Sequence, residues 1–114
     1  MDDPAAFAAE WIAAWNAHDL ERILAHYAED VIFLSPVAAR VTGKGRVEGK
    51  SALRAYWSTA FERSPNLRFE LDTVYVGAGS LTIAYRNQHT IAVTETFVFG
   101  ADGKVTFATA CYAS

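Results

Sequence analysis

The sequence lacks several features that would assign it to a specialised class of protein. Its single cysteine, Cys111, cannot form an intrachain disulfide and cannot alone supply a zinc site of the multi-cysteine kind. No apolar run approaches the ~20 residues that span a bilayer. The start, Met1 to Pro4, is acidic where a secretory signal would be basic. We therefore expect a cytoplasmic protein that does not bind a membrane.

Basic residues are also too few for nucleic-acid binding. Ten Lys and Arg stand against thirteen Asp and Glu, which gives a net charge of -3 at pH 7. Proteins that follow a phosphate backbone need a basic patch, and the sequence has no such cluster. Nucleic acid is therefore not an expected partner.

Metal and nucleotide motifs are absent as well. The histidines His18, His26 and His89 form no HxH or HExxH spacing. The segment Gly43 to Ser51 ends like a phosphate-binding loop, but Lys44 stands where that pattern needs glycine. We expect no metal and no other cofactor.

The sequence is rich in apolar and aromatic residues. Hydrophobic residues make up 52% of the 114 residues and aromatic residues 13%, which is enough for a packed core. Because domains cluster near roughly 100 to 150 residues, we expect residues 1–114 to form one domain.

The first part of the chain predicts three helices. Asp3 and Pro4 can begin a first helix over about 4 to 16. Asp19 can begin a second, short helix whose apolar spacing extends to Tyr27. A third helix begins at residue 49 or 51 and ends at 64–66. Between the second and third helices, residues 31–34 predict a strand, and 38–50 predict a loop that can include a short strand around 40–42.

From Leu67 onward the apolar period becomes two. This pattern predicts four strands, at 67–76, 80–87, 91–99 and 104–112. Their connections are short, so neighbouring strands are expected to be antiparallel. Helices followed by a meander predict an α+β fold, with the three N-terminal helices packed on one face of a curved, mostly antiparallel sheet.

Glu95 is the residue that most needs an explanation. Its strand phase is otherwise apolar, and a carboxyl group in such a row is costly unless it is paired or protonated. A four-residue loop after Phe99 would place Ala108 opposite Glu95 and would put small side chains on the same face. The small side chains would leave a hollow that could hold a ligand. The residues sharing that face would be Thr106, Ala108, Ala110 and Tyr112.

The partner of Glu95 depends on the preceding hairpin. A two-residue turn at His89 and Thr90 puts Arg86 diagonal to Glu95 and makes an ion pair. A three-residue turn can instead put Tyr85 opposite Glu95 and leaves the site neutral. Glu95 is accordingly either a structural group or a group that faces a functional pocket. His18 is a further candidate, because it lies at a helix junction from which it could point into a helix-covered cavity.

The aromatic side chains have two interpretations. They can form the core, or they can form the wall of a pocket for a flat apolar ligand. The candidate ligand-binding residues are Trp11, Trp15, Tyr27, Phe33, Trp57, Phe61, Tyr85 and Tyr112.

Several segments together resemble one known family. They are WNAHDL at 15–20, HYAEDV at 26–31, EGKSAL at 48–53, TETFVF at 94–99 and DGKV at 102–105. Along the whole chain the sequence resembles the SnoaL-like branch of the nuclear transport factor two-like superfamily. The resemblance implies a cone-shaped α+β barrel that forms a homodimer through the outer face of the sheet, with rows 94, 96, 98 and 105, 107, 109 as the expected contact. Members of this superfamily include steroid delta-isomerases, polyketide cyclases, epoxide hydrolases and proteins without catalytic activity.

The resemblance also assigns roles residue by residue. In steroid delta-isomerases the proton-shuttling aspartate falls at Ser35, the oxyanion-hole tyrosine at Trp11 and the protonated carboxyl at Glu95. A serine without an activating partner cannot take a proton, so that mechanism is not expected. We predict a pocket for a small apolar carbonyl, lactone or epoxide compound, with acid assistance from Glu95 and with Arg86 or His18 as catalytic partners. The alternative is a non-catalytic dimeric module with a vestigial pocket.

Overall fold

The structure, a computed structural model, describes residues 3–114. Met1 and Asp2, which entered the argument against a secretory signal, lie outside the described residues. The described part contains four helices and six strands: α1 Pro4–Asn16, α2 Leu20–Leu24, β1 Tyr27–Leu34, α3 Pro36–Thr42, β2 Arg46–Glu48, α4 Lys50–Arg63, β3 Glu70–Gly77, β4 Ser80–Arg86, β5 Ala92–Phe99 and β6 Val105–Tyr112.

All six strands belong to one curved sheet with the order β2-β1-β6-β5-β4-β3. The β1–β6 pair is parallel and the other pairs are antiparallel. The predicted α+β class and the mostly antiparallel sheet are confirmed. The sheet does not close, because β2 and β3 remain its two edges. The described part of the chain has one helix more than the three predicted.

The first helix has the predicted bounds because its capping signals are local. The Asp3 side chain accepts a hydrogen bond from the amide of Ala6, and Pro4 occupies the first turn. At the other end, both polar groups of the Asn16 side chain bind the backbone of Phe69. The C-terminus of α1 is thereby tied to the chain just before β3.

The segment from Tyr27 to Thr42 differs from the prediction. Tyr27 does not continue the second helix but begins β1, where it pairs with Val105 of β6. Residues 36–42 form helix α3 rather than a loop, and the short strand lies at 46–48. The side chain of Ser35 caps α3 by accepting hydrogen bonds from the amides of residues 37 and 38, and Gly43 ends the helix with a left-handed φ of 85°.

The core lies between the helices and the inner face of the sheet. Trp11, Leu53 and Phe97 are fully buried there, and several aromatic rings meet edge to face, including Trp11 with Phe97 and Trp15 with Trp57. Within the described residues, no helix is long and apolar enough to cross a membrane.

Candidate functional site

A cavity of about 350 Å³ opens between α1, α3, α4 and the inner face of the sheet. Pockets for small molecules occupy roughly 300 to 1,000 Å³, so this cavity could take a compact ligand. Six of the eight predicted aromatic residues line it: Trp11, Trp15, Phe33, Trp57, Tyr85 and Tyr112.

The other two predicted aromatic residues support the wall from outside the cavity. Tyr27 is buried, and its hydroxyl oxygen accepts a hydrogen bond of 3.0 Å from the indole nitrogen of Trp11. Phe61 packs against Trp15, with 5.3 Å between ring centroids. Neither side chain reaches the lining of the cavity.

Glu95 lines the cavity, and its residue is only 3% exposed. Its neighbours on the adjacent strands are Ile83 and Ala110, which carry no charge. The hydroxyl of Tyr85 donates a long hydrogen bond of 3.4 Å to Oε1 of Glu95. Burial raises the pKa of Glu95 from its ordinary value of 4.5 to about 8, although the bond from Tyr85 acts in the opposite direction. At pH 7 this carboxyl group is therefore mainly protonated and can donate a hydrogen bond.

Arg86 does not reach this carboxyl group. The β4–β5 hairpin pairs Arg86 with Ala92 through a five-residue connection, so its side chain lies on the outer face of the sheet. There its guanidinium lies 3.6 Å from the carboxylate of Asp72 and donates to the carbonyl of Thr90. The ion pair of the first alternative is not formed. Tyr85, the residue of the second alternative, binds Glu95 diagonally rather than from the opposite position.

The β5–β6 hairpin also differs from its predicted register. Glu95 faces Ala110, and Ala108 faces Phe97. The connection 100–104 has five residues rather than the predicted four, and a bulge beside Val98 and Phe99 adds one more residue on β6. Ala110 lines the cavity and leaves room above the carboxyl group, whereas Thr106 does not line it. Val105, predicted for the outer face, is instead fully buried.

His18 has a structural position in this fold. Its Nε2 donates a 2.8 Å hydrogen bond to the carbonyl of Leu67, and its ring packs on Phe61. It does not line the cavity. Among residues 3–114, no group of three or more His, Cys, Asp or Glu side chains could hold a metal ion.

The polar residues of the cavity that were not predicted from the sequence include Arg40, Tyr56 and His89. Arg40 belongs to the segment expected to be a loop. The pair Ser35-Pro36 is a helix-start signal, and the three-residue spacing from Val37 would then have placed Arg40 on the same side of that helix. Burial raises the pKa of the Tyr56 hydroxyl, while the neighbouring Ser35 hydroxyl acts in the opposite direction.

Comparison with known proteins identifies relatives along almost the whole chain. Residues 8–110 match the family model of the SnoaL-like domain. A SnoaL-like protein of unknown function from Burkholderia thailandensis E264 has 41% identity and a TM-score of 0.94, covering 97% of this chain and 94% of its own. Among curated proteins none matches.

Two more distant structures show the same fold. A protein proposed to be an isomerase of the SnoaL-like family, from Agrobacterium tumefaciens str. C58, has 19% identity and a TM-score of 0.78, with both chains fully covered (100%). A proposed polyketide cyclase from Sinorhizobium meliloti has 16% identity and a TM-score of 0.78, covering 97% of each chain. At these identities the likeness concerns the fold alone.

Proposed function

This chain belongs to the SnoaL-like family, and we propose that it binds a small apolar molecule in the aromatic cavity and acts on an oxygen of that molecule. The observation that carries the proposal is the position of Glu95. Its carboxyl group is buried and free of any ion pair among the described residues, and it lines a cavity of ligand size. Burial raises its pKa to about 8, which favours the neutral acid.

The hydrogen bond from Tyr85 determines which oxygen of the Glu95 carboxyl group carries the proton. Tyr85 donates to Oε1 of Glu95, so Oε1 acts as the acceptor and the acidic proton belongs on Oε2. That proton can be donated to a carbonyl, lactone or epoxide oxygen in the cavity. A donor in an apolar site stabilises negative charge that develops on oxygen more strongly than it would in water.

Ser35 argues against the steroid delta-isomerase mechanism. Its hydroxyl oxygen accepts hydrogen bonds from the amides of Val37 and Ala38 and so caps α3. A serine hydroxyl can take a proton only if a neighbouring base activates it, and neither of these two hydrogen bonds involves a base. We therefore propose acid assistance by Glu95 rather than a proton shuttle through residue 35.

A second candidate function is a non-catalytic binding module. The positions of Arg86 and His18 favour it, since the two residues expected to work with Glu95 both lie outside the cavity. In this case Glu95 would donate a hydrogen bond to a bound ligand that is released unchanged.

We also propose that the protein is a homodimer through the outer face of its sheet. The outward rows of β4 and β5 there are uncharged at Thr82, Thr94, Thr96 and Val98, and Val98 is 39% exposed. Thr82 and Thr96 bind each other across the strands at 2.8 Å. A second copy related by a two-fold axis would bring these uncharged rows together without repulsion.

Sedimentation velocity tests the dimer. Val98→Lys should convert a species of twice 12.5 kDa into monomer, because it buries a charge in the proposed contact. Val76→Lys is the matched control, since Val76 is exposed near one end of the edge strand β3 and on the inner face. A wild-type protein that sediments only at 12.5 kDa at micromolar concentration would rule the dimer out.

One screen distinguishes the binding proposal from the catalytic proposal. The melting temperatures of wild type, Glu95→Gln and Glu62→Gln are measured in the presence of apolar ketones, lactones, epoxides and steroids. Glu62→Gln is the control, because it changes an exposed carboxylate outside the cavity. A ligand at 100 times its dissociation constant should add about 2.7 kcal/mol of stability and raise the melting temperature by several degrees. Compounds that bind are then assayed for turnover.

The outcomes distinguish the two candidates. Turnover that is lost in Glu95→Gln and kept in Glu62→Gln supports acid assistance. Equal turnover in Glu95→Gln rejects the catalytic role of Glu95. Binding without turnover of any compound favours the non-catalytic module, and a melting temperature that no compound changes contradicts both candidates.

A further inference from the structure

Arg40 places a positive charge on the wall of the cavity. It lies on α3, where its residue is exposed, whereas Glu95, which lines the same cavity, is buried on β5. The lining of the cavity therefore combines a buried acid with an exposed cation. Apolar and aromatic side chains make up much of the remaining lining.

Several arginines have a carboxylate partner in the described part of the chain, and Arg40 does not. Arg22 and Arg54, for example, bind the carboxylates of Glu10 and Glu21 at 2.6 and 2.9 Å. Within residues 3–114, Arg40 makes no ion pair and its side chain makes no hydrogen bond. An unpaired guanidinium that lines a cavity is available to a ligand.

No acid in the cavity lining compensates Arg40 at neutral pH. Glu95 is the carboxyl group among the lining residues, and its burial keeps it mainly protonated. Burial raises the pKa of the Tyr56 and Tyr112 hydroxyls, and the positive charge of nearby Arg40 acts in the opposite direction. The cavity thus carries positive charge inside a protein whose net charge is -3.

We infer that the ligand of this cavity is an amphipathic carboxylate. Its flat apolar body would lie along the aromatic wall, an oxygen acceptor at its inner end would meet Glu95, and its carboxylate would pair with Arg40 at the opening. A guanidinium presents two parallel N–H donors that match the two oxygens of a carboxylate. The inference rests on the proposed function, because it names the chemical class of ligand for the same cavity.

The test compares two ligands that differ only in charge. The probes are 6-acetylnaphthalene-2-carboxylate and the corresponding carboxamide, which share a ketone and a flat ring. Their dissociation constants are measured by calorimetry with wild type, Arg40→Gln and the control Arg68→Gln. Arg68 is exposed, lies outside the cavity and makes no ion pair in the described part of the chain.

Wild type and Arg68→Gln should bind the carboxylate about five- to tenfold more tightly than the carboxamide, and Arg40→Gln should bind both equally. Added salt should weaken binding of the carboxylate alone. If both compounds bind wild type with the same affinity, or if Arg40→Gln weakens both alike, the inference is wrong while the binding proposal stands. If neither compound binds wild type, the inference is wrong, and the melting-temperature screen decides the proposed function separately.

Discussion

The hydroxyl of Tyr85 lies 3.4 Å from Oε1 of Glu95, and this long hydrogen bond joins β4 to β5 inside the cavity. Tyr85 and Glu95 are diagonal neighbours, since Tyr85 pairs with Val93 and Glu95 with Ile83. A bond of this length compensates little of the cost of burying a carboxylate. Burial therefore favours the neutral form of this acid.

Burial of Glu95 should make the folding stability depend on pH in a defined direction. Its pKa is 4.5 when unfolded and about 8 in the fold, so between these values the folded state binds more protons than the unfolded state. The free energy of unfolding should then fall as the pH rises from about 4.5 to 8, by up to about 1.4 kcal/mol per pH unit. Below pH 4.5 the contribution is fully retained, because both states are protonated.

Urea unfolding of wild type and Glu95→Gln at pH values from 4 to 9 tests this direction. The stability of Glu95→Gln relative to wild type should increase across the interval, because the amide cannot ionise. Glu62→Gln should follow wild type at every pH, since Glu62 is exposed. Parallel pH profiles for wild type and Glu95→Gln would mean that Glu95 titrates normally in the folded protein.

Tyr85→Phe should raise the pKa of Glu95 further. The Tyr85 hydroxyl is a donor to the charged form and lowers this pKa, so its removal leaves burial unopposed. The loss of stability should be small, about 0.5 to 1 kcal/mol, because the bond is long. A carbon-13 NMR titration of the Glu95 carboxyl group measures the shift. The control is Tyr75→Phe on the outer face, where the residue is 59% exposed, and it should leave the titration of Glu95 unchanged. If Tyr85→Phe also leaves the titration unchanged, the Tyr85 hydroxyl does not influence the pKa of Glu95.

The sequence predicted those parts of the fold that depend on local signals. The bounds of α1 follow from Asp3, Pro4 and the spacing of its aromatic residues, and the later strands follow from their period of two. Glu95 was recognisable because it is a lone acid in an apolar row. The signals for α3 were also present in Ser35 and Pro36, but the glycines that follow favoured a loop.

Which residues contact Glu95 depends on the registers of the two hairpins, and no local sequence pattern determines those registers. Asn87 organises the five-residue connection between β4 and β5, because its side-chain oxygen accepts bonds from the amides of His89 and Ile91. In the other hairpin, a five-residue connection at 100–104 and a bulge beside Val98 shift the pairing by one residue each. Each of these changes moves every side chain of a strand relative to its neighbour, so the partner of Glu95 could not be assigned from spacing. Tyr27 was misplaced because long-range pairing with β6 overrode a helical spacing.

Asn16 should be one of the most sensitive polar positions outside the cavity. Its side-chain nitrogen donates to the carbonyl of Phe69 at 2.9 Å, and its oxygen accepts from the amide of Phe69 at 2.7 Å. Asn16→Ala leaves both backbone groups without these partners, which should cost about 2 to 3 kcal/mol. Denaturant unfolding measures the loss. Asn66→Ala, at an exposed position in the turn after α4, should cost less than about 0.5 kcal/mol, and an equally small effect at Asn16 would show that water replaces both bonds.

The buried hydrogen bond between Trp11 and Tyr27 should appear as an energetic coupling. The indole nitrogen of Trp11 donates to the Tyr27 hydroxyl at 3.0 Å, and both residues are almost completely buried. Tyr27→Phe removes the acceptor and leaves a buried donor unpaired, which should cost about 1 to 3 kcal/mol. In Trp11→Phe the donor is already absent, so the second substitution should cost about 0.5 to 1.5 kcal/mol less.

A double-mutant cycle from urea unfolding measures this difference. The control cycle combines Trp11→Phe with Tyr75→Phe, whose hydroxyl lies on the outer face, and it should be additive within about 0.5 kcal/mol. If Trp11→Phe and Tyr27→Phe are additive as well, the bond contributes nothing to the free energy of unfolding. A measured coupling would mean that Tyr27, although it does not line the cavity, fixes the orientation of the indole ring that does.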